Sequence, residues 1–176
     1  PRWNQGPSPR AGPVSGCRAE PRPHGWMRIG EIADLSVAPA LLYVETSGLL
    51  AGLLEGESRA RRTLSLDLPA LTSTLTLAEA ARTLQRAECA GRYTPEQLHE
   101  IRKALDQFHR RSTLFPMTDA VLAGVGLRFP LEPVRTLDAI HLITARMLGV
   151  RPGEVLLLTR DRRVRANAAA LGFVLD

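Results

Sequence analysis

Four carboxylates in the sequence stand where apolar runs meet polar turns or where helices begin. Glu45 follows Leu41-Leu42-Tyr43-Val44 and precedes Thr46, Ser47 and Gly48. Asp161 follows Val155-Leu156-Leu157-Leu158-Thr159 and Arg160, Asp138 opens a helical stretch after Val134-Arg135-Thr136-Leu137, and Glu79 lies near the head of another. In an open α/β sheet, ligands bind beyond the carboxyl ends of the strands, so acids delivered to that edge share one crevice. Each acid also has a simpler account. Asp138 and Asp161 sit where helix N-caps sit, and Thr76-x-x-Glu79 is a capping-box pattern. Their joint placement needs more than caps, because two carboxylates 4 Å apart repel by about 4 kcal/mol at an effective dielectric near 20. A cation resolves that repulsion, and oxygen donors without a Cys/His ligand set select Mg²⁺ or Mn²⁺. His141, one turn beyond Asp138, is read as a core or supporting histidine, and Asp119 as a residue serving a helix dipole.

These residues need a scaffold, and the apolar pattern supplies one. Residues 41–44 and 155–159 read as buried strands, with shorter ones at 114–117 and 173–175. Helices are expected over 49–54, 77–90, 95–111, 118–127, from Asp138 toward Gly149, and over 163–171. Thr94-Pro95-Glu96-Gln97 starts the third of these with an N-cap, a proline at N1 and a glutamine at N3, and Leu98, Ile101, Leu105 and Phe108 make one apolar stripe. Helices 77–90 and 95–111 therefore form an αα-hairpin inserted in the α/β pattern, able to pack on the sheet or against another chain. Strands that are apolar throughout and alternate with helices imply a parallel sheet covered on both faces.

At 176 residues the chain suits one domain, and 44% hydrophobic and 23% charged residues are ordinary for a soluble protein. No apolar run reaches the length of a membrane span. The formal charge is +5, yet residues 1–28 hold five arginines and one glutamate, which leaves 18 basic against 17 acidic groups beyond them. Contact with nucleic acid must therefore come from local arginines, not a general positive field. Cys17 and Cys89 have no partners at zinc spacing, which suits a reduced, cytoplasmic protein. Residues 1–39 are expected to be a disordered extension with Met27 as the natural start, and residues 40–176 the folded domain.

VETS, an acid within TLAEAARTL, RTLDAIHLITA and LTRDRRVRANAAALGF, in that order, resemble the PIN-domain ribonucleases over about residues 40–176. The likeness is strongest to VapC-type toxins of toxin–antitoxin pairs. It implies a three-layer α/β/α sandwich with a central parallel sheet. It also implies that Glu45, Glu79, Asp138 and Asp161 hold Mg²⁺ or Mn²⁺ for RNA hydrolysis, with Thr46 and Thr159 hydrogen-bonding within the site. Arg160, Arg162 and Arg163 become candidate RNA contacts, a solvated basic helix face being the alternative. A homodimer and a small cognate antitoxin protein are the implied partners. The family carries aspartate where this chain has Glu45, so slow cleavage favouring Mn²⁺ is expected. The alternative is a catalytically impaired scaffold acting by binding RNA or a partner. A phosphate-accepting receiver domain fits less well, because its strand-end lysine is missing and Lys103, the sole lysine, lies in the helical arm.

Overall fold

The computed structural model describes residues 38–176. The expected extension over 1–39, with its start at Met27, lies outside the described residues but for positions 38 and 39. In chain order the elements are β1 (Leu41–Val44), α1 (Thr46–Leu53), α2 (Ser58–Leu64), β2 (Ala70–Ser73), α3 (Thr74–Cys89) and α4 (Pro95–Arg111). There follow β3 (Ser112–Phe115), α5 (Asp119–Gly124), α6 (Thr136–Arg146), a 3₁₀ turn at Pro152–Glu154, β4 (Val155–Leu158), α7 (Arg162–Ala170) and β5 (Val174–Leu175).

The five strands form one sheet in the order β3-β2-β1-β4-β5, with every pair parallel. From β1 the chain steps outward to β2 and β3, then returns to the other side of β1 as β4. That reversal makes a topological switch point between the carboxyl ends of β1 and β4, the place where such sheets bind ligands. Alternating side chains of the paired central strands feed two cores. Leu42, Val44, Leu156 and Leu158 pack with Leu49, Ala60, Leu64 and Phe108 in one, while Tyr43, Val155 and Leu157 pack with Ile140, Leu142, Val164 and Phe173 in the other. Each fully buried Leu or Val of this kind contributes about 1.5–3 kcal/mol, so the central strands are the best anchored part of the sheet.

Local chemistry moves several expected boundaries. The first helix starts at Thr46, three residues before Leu49, because Glu45 caps it by accepting from the Ser47 backbone N–H. The third starts at Thr74, because the Ser73 hydroxyl accepts from Leu75 N–H. The capping box of Thr76 and Glu79 is therefore absent: Thr76 is already inside the helix, where its hydroxyl accepts from Thr72. The strand expected at 114–117 lies at Ser112–Phe115, directly after α4, and α5 ends at Gly124, short of residue 127. The hairpin itself forms as expected, with Thr94 and Gln97 making the capping box of α4. Phe108 buries that helix against the sheet, the first of the two packings open to it.

Gly48 fixes how closely α1 approaches β4. A Cβ there would fall 2.6 Å from the Leu158 carbonyl oxygen and 2.7 Å from its side chain, so only glycine permits the contact. This close approach sets the residues flanking Gly48 directly against the end of β4.

Candidate metal centre

Glu45 leaves the end of β1 and is only 6% exposed. Its Oε2 accepts from the Ser47 backbone N–H at 3.0 Å, from the Thr159 hydroxyl at 2.8 Å and from the Ser47 hydroxyl. The side chain thus folds back over its own helix start, which leaves Oε1 to face the interior of the site, 3.9 Å from His141 Nε2. Ser47 ties the two central strands together, since its Oγ also accepts from the backbone N–H groups of Arg160 at 2.8 Å and Asp161 at 3.0 Å. Asp161 N–H additionally reaches Thr159 Oγ1 at 3.1 Å.

Glu79 reaches the site from the second turn of α3. Its Oε2 accepts from Thr46 Oγ1 at 2.5 Å and lies 3.0 Å from His141 Nε2. His141, 2% exposed, meets the Tyr43 hydroxyl at Nδ1, 3.0 Å away, so a buried tyrosine orients the imidazole toward the acids. Burial by itself would push the Glu79 carboxyl up. The hydrogen bonds from His141 and Thr46, with the attraction of the imidazole, outweigh burial and hold Glu79 below its ordinary value. Burial, reinforced by the charges of Glu45 and Glu79, raises the Tyr43 phenol well above its usual value, so it stays a neutral hydrogen-bonding group.

Asp138 stands at the third position of α6, not at its N-cap, which is Arg135 and makes no side-chain cap. Burial is the main force raising its pKa, aided by the charges of Asp161 and Glu45 and opposed by Arg135. Its Oδ2 is buried and has no hydrogen-bond partner among the described residues. Asp161 does act as the N-cap of α7, its Oδ1 accepting from Arg163 and Val164 N–H at 2.7 and 3.1 Å. Capping thus accounts for one oxygen of Asp161, and the Arg135 backbone N–H holds the Asp138 carboxyl in the same way, but neither accounts for the buried Asp138 Oδ2 or for Glu79.

All four acids line one cleft of about 520 Å³ at the switch point, together with Arg82 and Arg86. At its floor, ligand atoms of Glu45 and Glu79 and of the buried His141 behind them lie inside 4.8 Å of one another, while Asp138 and Asp161 stand outside this tight triad. The donor set fits a hard divalent cation, being mostly carboxylate oxygen, while both ring nitrogens of His141 already face Glu79 and Tyr43. The orphan Oδ2 of Asp138 points the same way, since a buried charged group without a partner costs about 1–3 kcal/mol or more. Asp119, in the first turn of α5, is exposed and outside the cleft.

The arginines divide. Arg160, read from sequence as an RNA contact, is instead committed to protein. Its guanidinium donates to both oxygens of Glu57 at 2.6 and 2.9 Å, to Asp176 at 2.9 Å and to the Thr159 carbonyl at 3.0 Å. Arg162 and Arg163 are exposed at the start of α7. Sequence reasoning missed Arg82 and Arg86 as cleft residues. The signal was present, because positions 79, 82, 83 and 86 fall on one helix face. It also missed Ser47 as a shared acceptor and His141 as a direct partner of Glu79.

The profile of the PIN domain family matches residues 42–170. Ribonuclease VapC46 of Mycobacterium tuberculosis is 37% identical over 139 residues, which cover 76% of this chain and 94% of that protein. Ribonuclease VapC35 of the same species is 32% identical over 135 residues, covering 74% and 92%. Among solved structures, VapC20 of M. tuberculosis, described as a sarcin–ricin loop cleaving toxin, aligns with a TM-score of 0.54 at 20% identity over 76% of this chain and 96% of that one. VapBC2 of Rickettsia felis, bound to a DNA fragment from its promoter, gives 0.51 at 13% identity over 77% and 97%. At these identities the two structures speak for the fold, which is the expected α/β/α sandwich.

Proposed function

The chain belongs to the PIN domain family, among its VapC ribonucleases, and from that premise we propose that it is a divalent-metal-dependent endoribonuclease, the toxin of a toxin–antitoxin pair. The observation that carries the proposal is the convergence of Glu45, Glu79, Asp138 and Asp161 on one cleft at the switch point. In this reading Glu45 through Oε1, Glu79, Asp138 through Oδ2 and Asp161 hold Mg²⁺ or Mn²⁺. When bound, such an ion lowers the pKa of a water and neutralises charge developing on a scissile phosphodiester. The chain's own residues do the rest. Thr46 and His141 fix Glu79, Ser47 and Thr159 fix Glu45, and the Tyr43 hydroxyl fixes the His141 ring. None of these groups is a nucleophile in the reaction, and together they hold the acids in place before substrate arrives.

Arg162 and Arg163 are proposed phosphate contacts. A cognate antitoxin protein covering the cleft, a homodimer and a cytoplasmic location complete the reading. Among the described residues no helix is long and apolar enough to cross a membrane. We assign the nuclease to residues 40–176 and treat 1–39 as an extension that it does not require. A second reading, an impaired scaffold, draws on the side chain of Glu45, one of whose oxygens is fully used in capping.

One experiment separates the two: thermal unfolding and RNA cleavage measured over a titration of Mg²⁺ and of Mn²⁺. Binding to the folded state alone stabilises by about 2.7 kcal/mol at a hundred times the dissociation constant, and cleavage should rise in step with that shift. Stabilisation without cleavage supports the scaffold. No stabilisation at millimolar metal removes the metal centre.

A further inference from the structure

The acid cleft does not end at the acids. A second cavity of about 400 Å³ shares Leu50, Thr83 and Arg86 with it and runs on to Arg92, Tyr93 and Glu55. Along this path Arg82 and Arg86 project from α3, and Arg92 follows its end. All three are exposed, and none makes an ion pair among the described residues, whereas Arg102, Arg151 and Arg160 each do. Four residues of helix advance about 6 Å, so Arg82 and Arg86 form successive cationic steps leading away from Glu79. At the far end Tyr93 is half-buried, its hydroxyl donating to the Leu54 carbonyl at 3.4 Å, which holds the ring in place.

We propose that this continuous groove binds a single-stranded RNA segment flanking the scissile phosphate, with Arg82, Arg86 and Arg92 on its phosphates and Tyr93 as a stacking surface for a base. The inference rests on the ribonuclease reading and extends it to the side of the site where the strand runs. A row of unpaired arginines matches a phosphate backbone, and an aromatic face beside it is the usual means of holding unpaired bases without reading their sequence. Exposed Glu55, which also lines this cavity, repels phosphate, which favours a backbone path along the arginines of α3. An apolar partner peptide is the other occupant such a groove could take, but it would leave the arginines without counter-charges.

The test is binding of a labelled single-stranded RNA of about 12 nucleotides, within the range of known single-strand sites, to the Asp138→Asn protein in magnesium buffer, followed by anisotropy over a range of salt. Arg86→Gln and Arg92→Gln, added to that background, should each weaken binding about tenfold and lower the salt slope by about 0.7. Tyr93→Leu, which keeps apolar packing, should weaken binding about tenfold with the slope unchanged, and Tyr93→Phe should bind like the parent. Unchanged affinity and slope in Arg86→Gln, Arg92→Gln and Tyr93→Leu, with melting temperatures intact, overturn the inference and leave the groove to a peptide, while the ribonuclease reading stands if the wild type cleaves. A parent that binds no RNA, joined to a wild type that cleaves none, overturns both.

Discussion

Two charge-dense regions lie at the carboxyl edge of β4, and they are built on opposite principles. On one side Arg160 is clamped between Glu57 and Asp176, and Arg59 and Arg165 approach Asp176 within 4.0 and 3.6 Å. Every charge there has an opposite partner, and the Asp176 side chain can be 99% withdrawn from solvent because of it. On the other side Glu45, Glu79, Asp138 and Asp161 share a cleft in which the close basic neighbour is His141. A folded chain completes the first arrangement by itself. In both regions one buried carboxylate oxygen lacks a hydrogen bond, but Asp176 Oδ2 lies 2.9 Å from the Arg160 guanidinium, whereas Asp138 Oδ2 has no ion pair among the described residues and its carboxyl has a raised pKa, a balance that the proposed cation would supply.

Removing one charge from each region should therefore have opposite consequences. Asp138→Asn is expected to lower metal-dependent RNA cleavage on the order of a thousandfold, the scale of losing a preorganised electrostatic group. In metal-free buffer the same change should raise the melting temperature, because it removes a charge that the empty-handed protein cannot pair. A drop in melting temperature would mean that Asp138 is structural. On the balanced side Arg160→Ala should cost about 2–3 kcal/mol of stability, since breaking one partner of a buried pair leaves Asp176 stranded, with Arg59 and Arg165 offsetting part of the loss. Denaturant unfolding reads this directly. A neutral result would show that Arg59 and Arg165 suffice.

Acid titration sharpens the contrast within the cleft. Glu79 has a depressed pKa, so its stabilising contribution is present above the ordinary 4.5 and is lost as pH falls through the folded value. Asp138 has a raised pKa, so its ionised form costs stability above the folded value, and the cost is relieved as pH falls. Metal-free Glu79→Gln should show a flatter acid limb than wild type, and Asp138→Asn a steeper one. Unfolding curves collected from about pH 7 to pH 3, the window spanning ordinary carboxylate values, decide it; the same slope in all three proteins would refute the assignment.

The parts of the molecule legible in the sequence are those set by neighbours along the chain. The apolar runs of β1 and β4, and the Thr94–Gln97 box of α4, need only local information, and they are found where expected. Thr76 and Glu79 misled because a capping-box spacing says nothing of whether a better cap lies just upstream, as Ser73 does. The start of α1 was hidden for a related reason, glutamate being an uncommon N-cap. Arg160 could not be read at all without coordinates, since Glu57 lies 103 residues away. His141 likewise meets Glu79 and Tyr43 across 62 and 98 residues.

The smallest effect concerns Glu45, where the family carries aspartate. The extra carbon–carbon bond adds about 1.5 Å of reach, and read from sequence alone that excess displaces the carboxylate enough to make Glu45→Asp at least tenfold faster. In the structure the excess is taken up by folding back: Oε2 is pinned by Ser47 and Thr159, and only Oε1 faces His141. Aspartate can still cap α1 through the Ser47 N–H, because a short carboxylate is the preferred cap. It draws the carboxylate toward the backbone and away from Thr159, so what remains is a small change of position, not a full bond length. We therefore expect Glu45→Asp to raise the Mg²⁺-supported rate by less than tenfold, below about 1.4 kcal/mol in barrier, to narrow any preference for Mn²⁺, and to leave stability within about 0.5 kcal/mol. Single-turnover cleavage of one RNA by both proteins in both metals measures it. A gain well beyond tenfold would mean that the pinned glutamate is misplaced after all, and a loss would mean that Thr159 and Ser47 have built the site around the longer side chain.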